Sequence, residues 1–425
     1  MPSRRTAVVA AAALSALLLA PAAHAAPVTA KSPAEAAAGW LSRQLVDGER
    51  FETAVGADVF PDQGLTIDAL LAFDAAGVAQ DSAGKAYAWL TAPATVASYT
   101  SDAEGARYAG AHAKLALAVL AQGGDPTGVG GVDLIAGLTA LQAESGRFSD
   151  KSKWGDYSNT FSQSLAVITL ARHGEAPAKA VEFLLGTACP DGGFPLDIGK
   201  PTCTSQADAT GLAVQALIAA GQTAQADAGL KWLRDKQFAN GGFPDHTQPD
   251  QLDVANANST GLAAQGLRAG GRTVEADKAV AFLQTLQVGC GDATAGAIAK
   301  DAKGFQAGNA VRATAQAVLG LAGTGLAEIS STGDRPAAPV LDCPEPTTTT
   351  PAPPAEEPPA QPAPVEEPPT TPAAGVTVTG AGPLARTGVE PAPALGLGAL
   401  LVLAGALVLV AARRRDPAPA GRSTS

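Results

Sequence analysis

The sequence predicts an all-α fold, a closed α6/α6 toroid of six helical hairpins, from three observations. Landmarks recur along residues 32–326 at a near-constant interval, which a repeat architecture requires. Each repeat pairs an amphipathic helix with one that is apolar almost all round, so the second helix is buried on more than one side. Neither end repeat carries the polar face that an open solenoid needs at its caps, so the ring closes on itself.

The repeat shows in two independent registers. On the first helix of each unit a residue pair recurs as Trp40-Leu41, Trp89-Leu90, Gly137-Leu138, Phe183-Leu184, Trp232-Leu233 and Phe282-Leu283, at intervals of 46 to 50 residues. The second helices align at Thr66, Ala113, Gln163, Thr210, Thr260 and Thr314, at intervals of 47 to 54. Ala226 to Gly271 is the clearest copy: a helix through Trp232, a turn at Asn240-Gly241-Gly242-Phe243, a polar loop, then a bland helix from Asn258. Glycine before an aromatic marks the turn in other units too, at Gly48 to Phe51, Gly146 to Phe148, Gly192-Gly193-Phe194 and Gly304-Phe305. The apolar second helices are expected to form an inner ring and the amphipathic first helices an outer one.

The two ends of the chain are read differently. Residues 1–25 have a secretory signal layout: Arg4 and Arg5, an apolar run from Ala7 to Ala20, then Ala23-His24-Ala25. Residues 327–343 extend the toroid, and 344–383 form a stalk of Pro, Thr, Glu and Ala that cannot bury a core and stays extended and disordered. Residues 384–415 combine Leu384-Ala385-Arg386-Thr387-Gly388, an apolar stretch at about 394–412 long enough for a transmembrane helix, and Arg413-Arg414-Arg415. Residues 416–425 are a cytoplasmic tail. This order resembles the LPxTG-like sorting signal of Gram-positive bacteria, with Ala385 where proline is usual. The resemblance implies a sortase as partner, cleavage between Thr387 and Gly388, and attachment to peptidoglycan. The C-terminal helix would hold the chain in the membrane until that cleavage.

The 425-residue chain has a formal net charge of −11 and only 4% aromatic residues, which argues against nucleic acid as a partner. Its four cysteines lie in the repeat region and its extension, and an oxidising compartment favours pairing. Proximity in the repeat scheme suggests Cys189–Cys203 and Cys290–Cys343.

The pattern Trp232-Leu233, Gln237, Gly241, Phe243 closely resembles the QW repeat of squalene cyclases and protein prenyltransferases, and Leu138, Gln142, Gly146 and Phe148 keep the same spacing. Leu283, Gln287 and Gly291 keep it in part. The resemblance implies a terpenoid cyclase-like toroid in which the motif ties outer helices together and carries no chemistry. Functional residues of the family are not all present. The Asp-x-Asp-Asp acid motif of squalene-type cyclases is absent, and so is a Cys, His and Asp set for zinc. Gly289-Cys290-Gly291-Asp292-Ala293 resembles the thioester motif of complement-type toroids but lacks its glutamine. No metal or cofactor is expected. Two carboxylates, Asp68 and Asp208, are the weak catalytic candidates, and Asp68 could instead pair with Lys114.

The better candidate site is the mouth formed by the N-termini of the inner helices, with Tyr108, His112, Asn159, Phe161, Gln163, Asp208, Asn258 and Arg312 around it. Asn159, Asp208 and Asn258 could equally be helix caps. The functional expectation is a cell-wall-anchored, non-catalytic toroid binding a small ligand or a surface partner. The alternatives are an enzyme of the cyclase and prenyltransferase superfamily with a reduced site, and a corrinoid-binding surface protein, to whose inner-helix texture Thr160 to Leu170 is similar.

Overall fold

The computed structural model describes residues 28–245 and 254–344. The signal, stalk, sorting-signal and tail readings fall outside the described residues. Thirteen helices and two short two-stranded ladders make up the described part.

The inner ring consists of α2 (Gln63–Ala76), α5 (Ala109–Ala121), α7 (Thr160–His173), α9 (Ala207–Ala219), α11 (Ala257–Ala269) and α13 (Ala307–Ala322). Each packs on the next, and α13 packs on α2, so the ring is closed. Outside it lie α1 (Pro33–Ser42), α3 (Gln80–Leu90) with α4 (Pro93–Thr100), α6 (Leu134–Thr139), α8 (Ala178–Gly186), α10 (Thr223–Lys236) and α12 (Thr273–Thr285). The second outer helix is broken at Pro93, whose ring cannot continue a helix and which instead starts α4. An all-α toroid is therefore the observed architecture. The sequence reading did not anticipate the ladders β1 (Glu52–Val55) with β2 (Asp58–Pro61), and β3 (Phe243–Pro244) with β4 (Ala255–Asn256).

Inner helices approach closely because small residues face each other. A Cβ placed on Gly266 would lie 2.7 Å from the Gly211 carbonyl oxygen, and one on Gly211 would lie 2.5 Å from that of Leu262. Only glycine lets α9 and α11 touch backbone to backbone.

The same hydrogen bond fixes five of the six turns. The Thr66 hydroxyl accepts the N–H of Phe51, Thr210 that of Phe194, Thr260 that of Phe243 and Thr314 that of Ile298, each at 2.9 Å. In the third unit the Gln163 amide oxygen accepts the N–H of Phe148, also at 2.9 Å. All five inner-helix residues are buried. The sixth unit corrects the sequence reading. Its turn is Gly296-Ala297-Ile298, whereas Phe305 lies in the later loop and meets Trp40 edge-on at 6.0 Å.

In three units a glutamine then ties the turn to the next outer helix. The Gln237 side-chain NH2 donates to Gly241 O (2.9 Å) and Glu275 O (2.8 Å), and Gln287 donates to Gly296 O (3.2 Å) and Pro33 O (2.9 Å). The second pair joins the last unit to the first. The turn glycine abuts that same neighbour: Gly241 holds φ 90° with Lys278 O 2.1 Å from where a Cβ would stand. In the third unit Gln163 donates to Gly146 O and Ala180 O, while the side-chain nitrogen of Gln142 is buried without a partner. The motif glutamine has been replaced by one from the inner helix.

Residues after α13 close the opposite end of the ring. Leu326 and Ile329 are buried there, and the Arg172 guanidinium donates to the carbonyls of Leu120, Leu326 and Ile329. Gln215 accepts the Leu326 N–H at 3.0 Å. The segment continues past α3 and α1 and ends at Cys343. The disulfides Cys189–Cys203 and Cys290–Cys343 are formed, with Cα separations of 5.5 and 5.6 Å.

Thr260→Val keeps the shape of the side chain and strands the buried Phe243 N–H. A loss of about 1–3 kcal/mol in unfolding free energy is expected. Denaturant titration checks it, and a midpoint equal to wild type would show that the turn clamp contributes nothing.

Candidate functional site

Helix geometry decides which side chains face the ring's axis. Residues three and four apart on one helix share a face, so Asp208 stands above Leu212, Asn258 above Leu262, Phe161 above Leu165, and Arg312 above Gln316 and Leu319. Leu212, Leu262 and Leu319 are buried, as is Leu71 on α2. Leucines therefore stand beneath a polar first turn, and Leu165 among them is only half-buried.

Four of the six inner-helix interfaces are joined at this level by polar side chains. Lys114 Nζ on α5 lies 2.6 Å from Asp68 Oδ1 on α2 and also donates to Gly64 O at 2.9 Å. Asp208 on α9 is hydrogen bonded to Ser259 on α11. Asn258 Nδ2 on α11 donates to Gln316 Oε1 on α13 at 2.5 Å. Arg312 Nη2 on α13 lies 3.6 Å from Asp62 Oδ2, the N-cap residue of α2. The Arg312 side chain is 41% exposed, against 19% for Lys114, 13% for Asp68 and 1% for Asp62, so it is the most open of these four charged side chains. Tyr99, from α4, completes this side. Burial and the nearby Asp68 and Asp62 push its hydroxyl far above the usual tyrosine range.

The remaining expected mouth residues divide. Phe161 is half-buried at the start of α7. Tyr108 precedes α5 and its hydroxyl lies 3.3 Å from Asp102 Oδ2; burial, with Asp102 beside it, raises its pKa to about 12. Asn159 caps α7, its Oδ1 accepting the N–H groups of Phe161 and Ser162. Two residues are corrected. His112 is buried with its ring against Gly137 of α6, so it faces outward, and burial lowers its pKa. Gln163 is fully buried in the turn clamp. Both occupy the outer face of their helices, where Gln163 fastens a turn and His112 packs against α6. Sequence reasoning missed Gln316 and Tyr99; the spacing of four from Arg312 was the available signal for Gln316.

Asp208 is the carboxylate whose protonation matters most here. Burial, with Asp245 nearby, raises its pKa to about 6 despite the Ser259 hydrogen bond. Asp68 is committed to Lys114, and Asp245 is the second carboxylate near Asp208. Among the described residues, no group of three or more His, Cys, Asp or Glu is placed to hold a metal ion. Two surface depressions lie away from the mouth. One, of about 360 Å³, is lined by Phe183, Pro195, Ile198 and Cys203; the other, of about 480 Å³, by Ala171, Glu175, Glu182 and Gln222.

No family model matches the chain, and no curated protein matches it. Among solved structures, the apo form of type II terpene cyclase MstE from Scytonema is similar at a TM-score of 0.50 and 14% identity. That match covers 68% of this chain and 96% of that one. A protein from Actinoplanes reaches 0.49 at 15% identity, with 68% and 97% covered. The Candida albicans protein geranylgeranyltransferase-I complexed with GGPP reaches 0.43 at 12%, with 61% and 84% covered. At these identities the likeness is one of fold.

The folded pKa of Asp208 lies above its unfolded value, so its favourable contribution is full below about pH 4 and is lost as pH rises through about 6. Asp208→Asn is expected to raise the melting temperature at pH 7.5 and to leave it unchanged at pH 4. Melting curves at the two pH values check this; equal shifts at both would remove the titration as the cause.

Proposed function

We propose that the chain is an extracellular, cell-wall-anchored toroid that binds a small polar ligand or a surface partner at the mouth of its inner ring, without catalysis. The observation that carries the reading is Arg312, held loosely by Asp62 and partly open to solvent among half-buried polar groups. Asp68, Lys114, Asp208, Asn258 and Gln316 surround the same opening and offer donors and acceptors of both signs. Six helix N-termini add positive dipole ends, although Asp62, Asp150, Asn159 and Asn256 already accept first-turn N–H groups of α2, α5, α7 and α11. Secretion and wall attachment rest on the two terminal signals and suit a domain with two disulfides. Sortase and peptidoglycan are the partners this implies, and the Pro-rich stalk would hold the ring off the wall.

One observation favours a second reading, an enzyme of the cyclase and prenyltransferase superfamily with a reduced site. Asp208 keeps its proton to about pH 6 and could donate it to a substrate at the mouth. Against it stands the scarcity of aromatic faces that would steady a carbocation. A corrinoid ligand remains within the first reading.

Thermal-shift screening of the full-length protein against a metabolite panel including cobalamins separates these. A stabilising ligand is expected whose affinity falls about tenfold in Arg312→Ala, the effect of losing one charged hydrogen-bonding group. No stabilisation by any compound, with no wall partner captured by crosslinking, would defeat the binding reading. Turnover of an isoprenoid substrate that vanishes in Asp208→Asn would replace it with the enzymatic one.

A further inference from the structure

The chain has only four Trp and four Tyr. Trp154 is 52% exposed and Tyr157 is 44% exposed, and every other large hydrophobic exposed among the described residues is a valine. Both aromatics stand in one loop, residues 149–159, which leads directly into the N-terminus of α7 and so lies on the rim of the mouth. An exposed aromatic on a mobile loop would need no explanation, but this loop is rigidly built. Lys151 and Arg107 exchange backbone hydrogen bonds, both at 2.9 Å. Lys151 Nζ donates to Ala140 O at 2.8 Å. Asp156 Oδ1 accepts the N–H groups of Asp150 and Ser158 at 2.9 Å, and its Oδ2 lies 3.1 Å from Arg147. Asp150 in turn accepts the Ala109 N–H at 2.8 Å, linking the loop to α5.

The fold therefore spends ordered backbone on holding two rings in water. Lys153 sits 4.6 Å from the centre of the Trp154 ring and is paired with Glu104. That arrangement places a cation and a carboxylate beside the indole. Trp154 and Tyr157, three residues apart in this anchored loop, thus stand among the charged side chains of Lys153, Glu104 and Asp156. A stable protein partner would need roughly 800 Å² on this side with an apolar centre, and a lipid surface would need a contiguous apolar patch. Two rings among charges supply neither. They match a pyranose, which presents an apolar C–H face to an aromatic ring and a rim of hydroxyls to charged donors and acceptors.

We propose that Trp154 and Tyr157 form a carbohydrate-binding platform on the rim of the mouth, taking a chain of hexopyranose units. The proposal is independent of the ligand at the mouth itself. The test uses the full-length protein in a sugar-free detergent, with chitohexaose, cellohexaose and maltohexaose as probes. Isothermal titration is expected to detect at least one of them, and that saccharide should shield tryptophan fluorescence from iodide. Trp154→Ala should weaken binding about tenfold and abolish the shielding, Trp154→Phe should restore most of the affinity, and Arg312→Ala should leave it unchanged. Circular dichroism melting should not move, since both side chains are exposed. The proposal is overturned if no hexasaccharide binds, if Trp154→Ala binds as wild type does, or if Trp154 governs sedimentation with phosphatidylglycerol vesicles instead.

Discussion

A single hydrogen bond, repeated around the ring, sets where everything else goes. On five of the six inner helices a side-chain oxygen accepts the N–H of the residue that ends the turn before it. That bond fixes the height of the turn against the inner helix, and with it the turn glycine and the glutamine that reaches the next outer helix. The joint is buried, so leaving it unmade would strand a backbone donor away from water at a cost of about 1–3 kcal/mol. Gln287 makes the last of these connections to Pro33, at the start of the chain's first helix. Closure of the ring is thus the same interaction as its internal repeat, applied between units six and one.

The fold was legible because repetition multiplies weak signals. Thr66, Thr210, Thr260 and Thr314 could be aligned by spacing alone, and the structure gives that alignment its physical content as the clamp. Exchange of roles between helices was not legible. Gln142 sits at the motif position and its nitrogen has no partner, while Gln163 performs both tasks from the other helix. Nothing within either segment announces the exchange, because it depends on which side chain reaches the turn first. The sixth turn was misplaced for a related reason. The clamp needs a positive-φ glycine and a following N–H, and Ile298 satisfies it as well as an aromatic would.

The site was less legible than the fold, and the errors share a cause. His112 and Gln163 lie at the right height on their helices but on the face turned outward. A single residue's heading on a helix that is apolar all round cannot be read from periodicity, because no polar stripe marks the axis. The rim loop was illegible for another reason: exposure of Trp154 depends on tertiary contacts that hold Lys151 and Asp156 in place. Conversely, the pairing of Asp68 with Lys114 was available as an alternative, since both positions follow from the second register.

The mouth's own hydrogen bonding limits what can bind there. Asn258 is engaged by Gln316, Asp208 by Ser259, and Lys114 by both Asp68 and Gly64. A ligand that displaced any one of these would leave its partner unpaired in a half-buried place, and that penalty is comparable to what one new hydrogen bond returns. Groups that replace both members of a pair at once escape the penalty, and Arg312 escapes it most easily because its contact with Asp62 is long and its side chain is open. Recognition at the mouth should therefore begin at Arg312 and favour a ligand with an anionic or strongly accepting group. With the far end of the ring covered by Leu326 and Ile329, such a ligand would approach from the mouth side.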